Sequence, residues 1–353
     1  MKDFSRRLIE WQKQHGRHGL PWQQTRDPYA VWLSEIMLQQ TQVGSVIPYY
    51  QRFMHRFPDI AALAAAPLDD VLANWSGLGY YARGRNLHRA AQMVMAQHGG
   101  TFPDKFESVV ALPGIGRSTA AAILAFAFGQ RRAILDGNVK RVLARCFGIA
   151  GYPGVKAVEN AMWQKAENLL PDAGIETYTQ ALMDLGATLC SRKPACGDCP
   201  VNAGCVAYNQ DRVAELPASK PRKPLPQKET VMLVLLRRGE VYLEKRPPAG
   251  IWGGLWSFPE TGVGENALAA CRERFGIEGQ PLPPLPDFTH TFTHFRLKVR
   301  PCPVAVTAWR SGARQPVGLW LPLGEALDAA VPTPVRRLLE KLSGRYSWRE
   351  TSR

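Results

Sequence analysis

Apolar residues in the first half of the chain recur at helical spacing, whereas those in the last third alternate or run together as strands do. Residues 1–111 read as helices joined by short turns. The run from Met1 to Glu10 starts an amphipathic helix. Pro21 to Tyr29 is irregular, and Ala30 to Val43 follows as a helix with Leu33, Ile36, Met37 and Gln40 on one face. Ser118 to Gly129 is an alanine-rich helix. After the short apolar run Ala133-Ile-Leu135, Asp136-Gly-Asn138 opens a helix carrying Lys140, Arg141 and Arg145. From Leu216 the composition changes, and Pro217 to Pro226 is a linker rich in proline and lysine. Glu229 to Leu236 and Glu240 to Lys245 predict two strands about Arg237-Arg-Gly239. Leu297 to Ala308 predicts further strands broken by prolines, and Ala267 to Phe275 and Val335 to Leu342 predict helices. The expected fold is a mostly α N-terminal domain over residues 1–216, a linker over 217–228 and an α+β domain over 229–345.

Composition narrows the partners. A chain of 353 residues with 45% hydrophobic content and 10 Trp has room for two or three real cores. Its 44 Lys+Arg against 30 Asp+Glu leave a net charge of +14, which suits a polyanion, and nucleic acid is the commonest one. No apolar run is long enough to span a membrane. The N-terminus has no signal-peptide apolar region and carries acids early, as expected of a cytoplasmic protein. Of seven cysteines, Cys146, Cys271 and Cys302 are scattered and odd in number, which fits free thiols in a reducing compartment.

The chain is organised around Leu112-Pro-Gly-Ile-Gly-Arg-Ser-Thr-Ala120. Pro113 stops one helix, and Gly114 and Gly116 leave amides bare at the start of the next. Bare amides at a helix N-terminus bind anions such as a DNA phosphate, and Arg117 adds a positive charge. The plain alternative is a glycine-rich interhelical turn. Glu35 has Val31, Trp32, Leu38 and Gln39 as neighbours, so it is either a partly buried carboxyl with a raised pKa or a solvated surface acid. Gln39-Gln40-Thr41-Gln42 offers a run of amides and a hydroxyl, suited to DNA or to a polar helix end. Gly77-Leu-Gly-Tyr-Tyr81 combines close-approach glycines with a wedge, Leu78, and a stacking ring, Tyr80. Such side chains unstack base pairs, and also occur as buried parts of ordinary turns. Asp136 is placed to cap a helix, a role compatible with facing a cleft. Cys190-x5-Cys196-x2-Cys199-x5-Cys205 packs four thiolate ligands into sixteen residues and indicates zinc or an iron–sulfur cluster.

Five runs carry a resemblance: Trp32-Leu-Ser-Glu-Ile-Met-Leu-Gln-Gln-Thr-Gln-Val43, Gly77-Leu-Gly-Tyr-Tyr81, Leu112-Pro-Gly-Ile-Gly116, Leu135-Asp-Gly-Asn-Val-Lys-Arg141 and the cysteine cluster. In this order, and over nearly the whole chain, they resemble the adenine DNA glycosylase (MutY) family, part of the helix–hairpin–helix superfamily that includes endonuclease III. The resemblance implies one [4Fe-4S] cluster on Cys190, Cys196, Cys199 and Cys205, within the loop 190–205. The first cysteine gap is one residue shorter than the family's usual six.

Breaking a base–sugar bond passes through an oxocarbenium-like state, which calls for an acid at the leaving group and an anion near the sugar. The resemblance assigns these roles to Glu35 and Asp136, with Asn138 orienting the site. It places DNA contacts at Gln39, Gln40, Thr41, Leu78, Tyr80, Gly114, Gly116, Arg117, Ser118 and Lys140. Ser118 stands where bifunctional relatives carry a Schiff-base lysine. Serine forms no imine, so a monofunctional enzyme is expected. Lys140 matches a lysine able to couple adventitiously to the abasic product. The last domain resembles a Nudix fold through Trp252-Gly-Gly-Leu-Trp-Ser-Phe-Pro259 and Arg274-Phe-Gly-Ile277. Its acidic positions hold Ala270, Glu273 and Arg274, so metal-dependent hydrolysis is not expected. The family's reader of 8-oxoguanine, a Phe-Ser-His loop, reads Phe292, Thr293 and His294 here. The implied substrate is double-stranded DNA containing 8-oxoguanine:adenine or guanine:adenine mispairs. The implied enzyme is a bacterial-type, nucleoid-associated monomer with no membrane partner. The rivals are an endonuclease III-like glycosylase/lyase on damaged pyrimidines, a non-catalytic DNA-binding protein and a nucleotide hydrolase.

Overall fold

The computed structural model describes residues 2–220, 224–309 and 318–345, so residues 221–223 of the expected linker lie outside the described residues. The described chain forms two compact units, Met1–Ala65 with Asn86–Arg222, and Ala66–Arg85 with Lys223–Arg353.

Helices account for the first unit: α1 (Lys2–His15), α2 (Pro28–Leu38), α3 (Val43–Arg56), α4 (Ile60–Ala65), then, beyond α5 (Leu68–Trp75), the body of α6 (Ala82–His98), α7 (Phe106–Ala111), α8 (Arg117–Phe128), α9 (Gly137–Phe147), α10 (Lys156–Asn168), α11 (Ile175–Thr188) and α12 (Val206–Asn209). Residues 120–125 of α8 are all buried, as befits a helix apolar on every side. Gly129, in the left-handed region at φ 64°, closes it. α9 is amphipathic instead. Val139, Val142, Leu143 and Cys146 enter a core shared with Leu8, Ile175, Tyr178, Leu182 and Leu185.

One expected helix is two. The run from Ala30 to Val43 breaks after Leu38, because Gln40 takes a left-handed backbone conformation (φ 58°), and α3 restarts at Val43. Gln39 to Gln42 are all polar and include neither glycine nor proline, so the sequence pattern does not mark the break.

The second unit is built on an eight-stranded mixed sheet with β1 (Gln227–Arg237), β2 (Glu240–Lys245), β3 (Trp256–Ser257), β4 (Glu260–Thr261), β5 (Ile277–Pro281), β6 (Phe288–Thr291), β7 (Arg296–Trp309) and β8 (Gly318–Pro322). Its main path runs β3-β2-β1-β7-β5. β1 and β7 are parallel, in register from Gln227↔Arg296 to Leu236↔Ala305. Thr230 to Leu236 are buried without alternation, the pattern of a strand covered on both faces. The helices α13 (Ala267–Phe275), α14 (Leu323–Asp328) and α15 (Thr333–Arg345) complete the unit.

β7 corrects an expectation, since Pro301 and Pro303 do not break it. The Pro303 carbonyl accepts from Leu282 N at 3.0 Å, so its missing N–H faces the β5/β6 edge. There β6 has already stopped at Val299 and β5 ends at Pro281 opposite Val304, so Pro303 sits at the end of the ladder and forgoes only the return bond to Leu282.

The segment Ala66–Arg85 is docked within the second unit by polar contacts. Lys245 Nζ pairs with Asp69 at 2.6 Å. The Ser76 hydroxyl donates to Val331 O at 2.7 Å and accepts from Arg336 at 3.0 Å. Arg85 donates to Gly253 O at 2.6 Å.

Candidate active site

The cap of α9 sets one side of the site. Asp136 Oδ1 accepts from Val139 N at 2.8 Å, a bond that ends the extended run Ala133–Leu135 and starts the helix. Ser118, in the first turn of α8, holds the same run from the other side, its Oγ accepting from Leu135 N at 2.8 Å. Asn138 Oδ1 accepts from Arg141 at 2.8 Å, and Arg141 donates also to Gly186 O and Cys190 O, both at 2.6 Å. Gly186 is glycine for a packing reason, because a Cβ there would lie 2.6 Å from Asn138 Cβ.

Glu35 sits on α2, where Tyr29 to Ser34, Ile36 and Met37 are buried. This helix has almost no solvent face, which settles the question its own periodicity leaves open. Burial, and secondarily the charge of Asp136, raise the Glu35 carboxyl from 4.5 to about 8. Glu35 is therefore protonated at neutral pH and lies within the field of Asp136. Burial raises Asp136 as well, but the N–H groups of Val139 and Asn138 and the charges of Arg141 and Lys140 oppose it. Two carboxyl groups with such different surroundings can divide acid and anion roles between them.

Glu35 opens onto a cavity of about 320 Å³ in the first unit, walled by Trp22, Arg26, Phe126, Glu176 and Gln180 among others. That is the size range of small-molecule sites. Arg26 pairs with Glu176 at 2.9 Å across its wall. The buried Asp184 fixes the loop after α1 by accepting from Arg17 N at 2.9 Å and from its guanidinium at 2.7 Å. Sequence reasoning did not find these wall residues. They come from segments far apart in the chain, with Trp22 and Arg26 in the irregular Pro21–Tyr29 stretch.

The expected DNA contacts fall into different settings. Gly114 is left-handed at φ 84°, with Asn86 Cβ 2.9 Å from where a Cβ would stand. Gly116 begins α8 without a side-chain cap, so the first-turn amides are bare. Gln39 reaches the hairpin through Gly114 O at 3.4 Å and Thr119 Oγ1 at 3.3 Å. Thr41 turns back to Gln39 O. Gln40 is exposed in its left-handed conformation, and so is Tyr80 (φ 47°, 46% exposed). Strain of this kind in non-glycine residues clusters at ligand clamps. Leu78 is buried instead. Arg117 is paired with Glu167 and lies 3.8 Å over the Trp163 ring, while Lys140 pairs with Glu159 at 2.8 Å. Both cations are therefore already engaged, by acids about twenty and fifty residues away that local reading does not connect with them.

In the second unit Phe292 stacks on Phe295 at 4.5 Å, while Thr293 and His294 are exposed with Thr293 Oγ1 3.4 Å from His294 Nδ1. Trp252 packs against His290 (5.8 Å) and Phe292 (5.7 Å). Of the expected acidic positions, Arg274 faces Glu244 at 3.6 Å; nearby, Arg246 pairs with Glu260.

Cys190, Cys196, Cys199 and Cys205 line one small cavity with Leu185, Leu189 and Pro194. Arg145, buried, donates to Ser191 O at 2.7 Å and lies 3.5 Å from Cys190 Sγ. Cys205 is drawn down to about 6, chiefly by a hydrogen bond from Cys146 and then by the N–H groups of Tyr208 and Ala207. Among the described residues no three His, Cys, Asp or Glu side chains stand at the spacing of a single metal ion. A cluster holds its thiolates farther apart than one ion does, so four sulfurs around an apolar hollow with a nearby guanidinium fit it. No described helix is long and apolar enough to cross a membrane.

Comparison with known proteins agrees with this arrangement. Residues 33–168 match the model of the HhH-GPD superfamily of base excision DNA repair proteins, and residues 230–341 that of the NUDIX domain. The chain is 37% identical to the adenine DNA glycosylase of Buchnera aphidicola (from Acyrthosiphon pisum), over 96% of this chain and 97% of that one. It is 33% identical to the adenine DNA glycosylase of Homo sapiens, over 97% of this chain and 74% of that one. A thermostable thymine-DNA glycosylase superposes with a TM-score of 0.54 at 30% identity, covering 59% of this chain and 95% of that one. Identity that spans both units, together with a helix–hairpin–helix domain and a Nudix-like domain in this order, places the chain in the adenine DNA glycosylase family, the base-excision-repair enzymes that hydrolyse the N-glycosidic bond of adenine.

Proposed function

We propose that this enzyme removes adenine mispaired with 8-oxoguanine, and more weakly with guanine, from double-stranded DNA by extruding the adenine from the stack. The observation that carries the chemistry is a carboxyl raised to about 8, at the wall of a base-sized cavity and within the field of a second carboxylate. Glu35 protonates the departing adenine. Asp136 stabilises the positive sugar, or bonds to it transiently, with Asn138 and Arg141 fixing the start of α9. Trp22, Arg26 and Glu176 would enclose the extruded base. Tyr80 and Gln40, held exposed by strained backbone, probe the duplex, and the amides after Gly116 take a phosphate. Ser118 has no amine, so the enzyme is monofunctional.

Cys190, Cys196, Cys199 and Cys205 would hold a [4Fe-4S] cluster, whose four iron–thiolate bonds cross-link the loop after α11. Phe292, Thr293 and His294 would read the base opposite adenine. 8-Oxoguanine differs from guanine by a carbonyl and a ring N–H, features that a hydroxyl can address by both donating and accepting.

The deciding experiment measures base release from duplexes that differ only in the mispair. Release of adenine, fastest opposite 8-oxoguanine and without matching strand cleavage, is the expected result. Release of damaged pyrimidines with strand cleavage at the same rate would replace this reading by a glycosylase/lyase.

A further inference from the structure

The segment Ala66–Arg85 carries the turn with Leu78 and Tyr80, and it ends on Arg85. Within the helical start of α6, Arg83 N donates to Tyr80 O at 2.8 Å and Arg85 N to Tyr81 O at 3.1 Å. The Arg85 side chain therefore projects from the helical turn that closes the Leu78–Tyr80 loop. Its guanidinium is spent on a carbonyl, that of Gly253, at 2.6 Å. A charge-assisted bond of this length is a strong, directional contact.

Gly253 belongs to a turn with little freedom. A Cβ on Gly253 would lie 2.4 Å from Pro248 O. Trp252, just before it, is held left-handed at φ 53°, and Gly254, just after it, at φ 76°. A Cβ on Gly254 would touch Arg85 Cδ at 3.7 Å. Arg246 braces the turn from the sheet side by donating to Ile251 O at 2.8 Å. The buried Trp252 ring packs against His290 (5.8 Å) and Phe292 (5.7 Å). A continuous path of contacts thus runs from the loop 290–295 through Trp252 and Gly253 to Arg85 and the Leu78–Tyr80 turn, all within the second unit.

We infer that Arg85 is a specificity-determining positioning residue, joining the loop that reads the base opposite adenine to the turn that probes the stack. The inference rests on the reading role given above to Phe292–His294. When the loop engages 8-oxoguanine, the position of the Phe292 ring sets Trp252, and the Gly253 carbonyl sets Arg85 and with it the seating of Tyr80. Contact with the partner base then accelerates removal of adenine instead of only tightening binding. Spatial continuity alone does not establish coupling; a double-mutant cycle does.

The test compares single-turnover adenine release from duplexes with 8-oxoguanine or guanine opposite the adenine. The proteins are the native chain, Arg85→Ala, Arg85→Lys, Phe292→Ala with Thr293→Ala, and Arg85→Ala combined with the loop pair. Arg85→Ala is expected to lower the preference for 8-oxoguanine about tenfold, mostly through the rate on that duplex. Arg85→Lys, which keeps a donor, recovers part of it. The combined variant loses no more than the loop pair alone. An unchanged preference in Arg85→Ala, an equal fall on both duplexes, or losses that multiply in the combination would each overturn the inference. Loss of preference in the loop pair but not in Arg85→Ala overturns the coupling alone. Full preference in the loop pair overturns the reading role as well. If Arg85→Ala does not fold, Trp252→Leu removes the ring and keeps the guanidinium. A folded Trp252→Leu chain with native preference then overturns the inference.

Discussion

In the proposed function Glu35 and Phe292–His294 are the two places where this molecule would meet a base, and they are built on opposite plans. Glu35 lies on a helix buried almost all round, and burial disfavours its charged form, so its proton is retained. Asp136 and Ser118 are fixed by backbone hydrogen bonds of 2.8 Å. Thr293 and His294 are exposed, and their loop is ordered by the Phe292 N–H donating to Phe295 O at 2.9 Å and by rings packed behind, Phe292 stacked on Phe295 and Trp252 tilted against Phe292. Bond breaking needs an electrostatic environment that exists before the substrate arrives. Reading a base needs donors and acceptors free until the DNA supplies their partners. The comparison predicts that changes in the first region act on the rate for every substrate, whereas changes in the second act on the choice between substrates.

The largest effect follows from removing the proton donor. Glu35→Gln is expected to slow adenine release by a thousandfold or so on both mispairs while leaving duplex affinity near native. Release near the native rate by this variant would sink the acid assignment. The native rate should also fall about tenfold per unit as pH rises past about 8, where Glu35 loses its proton. A flat profile from pH 7 to 9.5 would show that another group supplies the proton.

A second effect, in stability, has its sign set by the same shift. The Glu35 carboxyl titrates at about 8 in the folded chain against an ordinary 4.5. Below 4.5 both states hold the proton, and stability is unaffected. Between 4.5 and 8 the unfolded chain releases it and the folded chain does not, so stability is progressively lost as pH rises. Native stability should decline across this window relative to Glu35→Gln, by on the order of 5 kcal/mol. Parallel denaturation curves for the two proteins from pH 4.5 to 8 would mean that Glu35 is better solvated than its surroundings imply.

The second region is tested by its selectivity. Phe292→Ala with Thr293→Ala, or truncation of the chain near residue 221, should reduce the preference for 8-oxoguanine over guanine by about tenfold while adenine release continues. Equal loss on both duplexes would give the loop a structural duty and would dissolve the contrast between the regions.

Much of this contrast is legible in the sequence because its parts are local. Pro113 and the glycines around it mark the hairpin, Asp136 marks a helix start, and the cysteine spacing marks a ligand set. The missing parts are pairings between distant segments. Arg117 reads as a free charge beside a phosphate site until Glu167 is found beside it, and Lys140 as a free DNA-contacting lysine until Glu159 is. The break at Gln40 depends on a backbone angle, which amides in a polar run do not announce. β7 survives its prolines because of what lies on its edge, a property of the sheet and not of the strand. The place of Ala66–Arg85 in the second unit rests on Asp69, Ser76 and Arg85, three polar residues whose partners lie beyond residue 240.

The smallest expected effect probes whether the dryness of the first region is general or confined to Glu35. Ser118 Oγ accepts from Leu135 N, one residue before Asp136, so a side chain here touches the frame of the site. Ser118→Lys removes that acceptor and brings in an amine. The burial that raises a carboxyl lowers an ammonium, because both shifts disfavour the charged form. An amine placed in the same surroundings as Glu35 would thus be partly neutral near pH 7 and able to attack the sugar carbon left after base loss. The expected outcome is a minor gain: borohydride-trappable adducts and strand cleavage, both slower than base release because the Leu135 contact is lost. If the variant releases base normally and yields no trapped adduct at pH 7 or pH 9, the region around Ser118 is not desolvated as Glu35 is. The dry environment would then be a local property of α2, and Asp136 would work in a wetter setting than its partner.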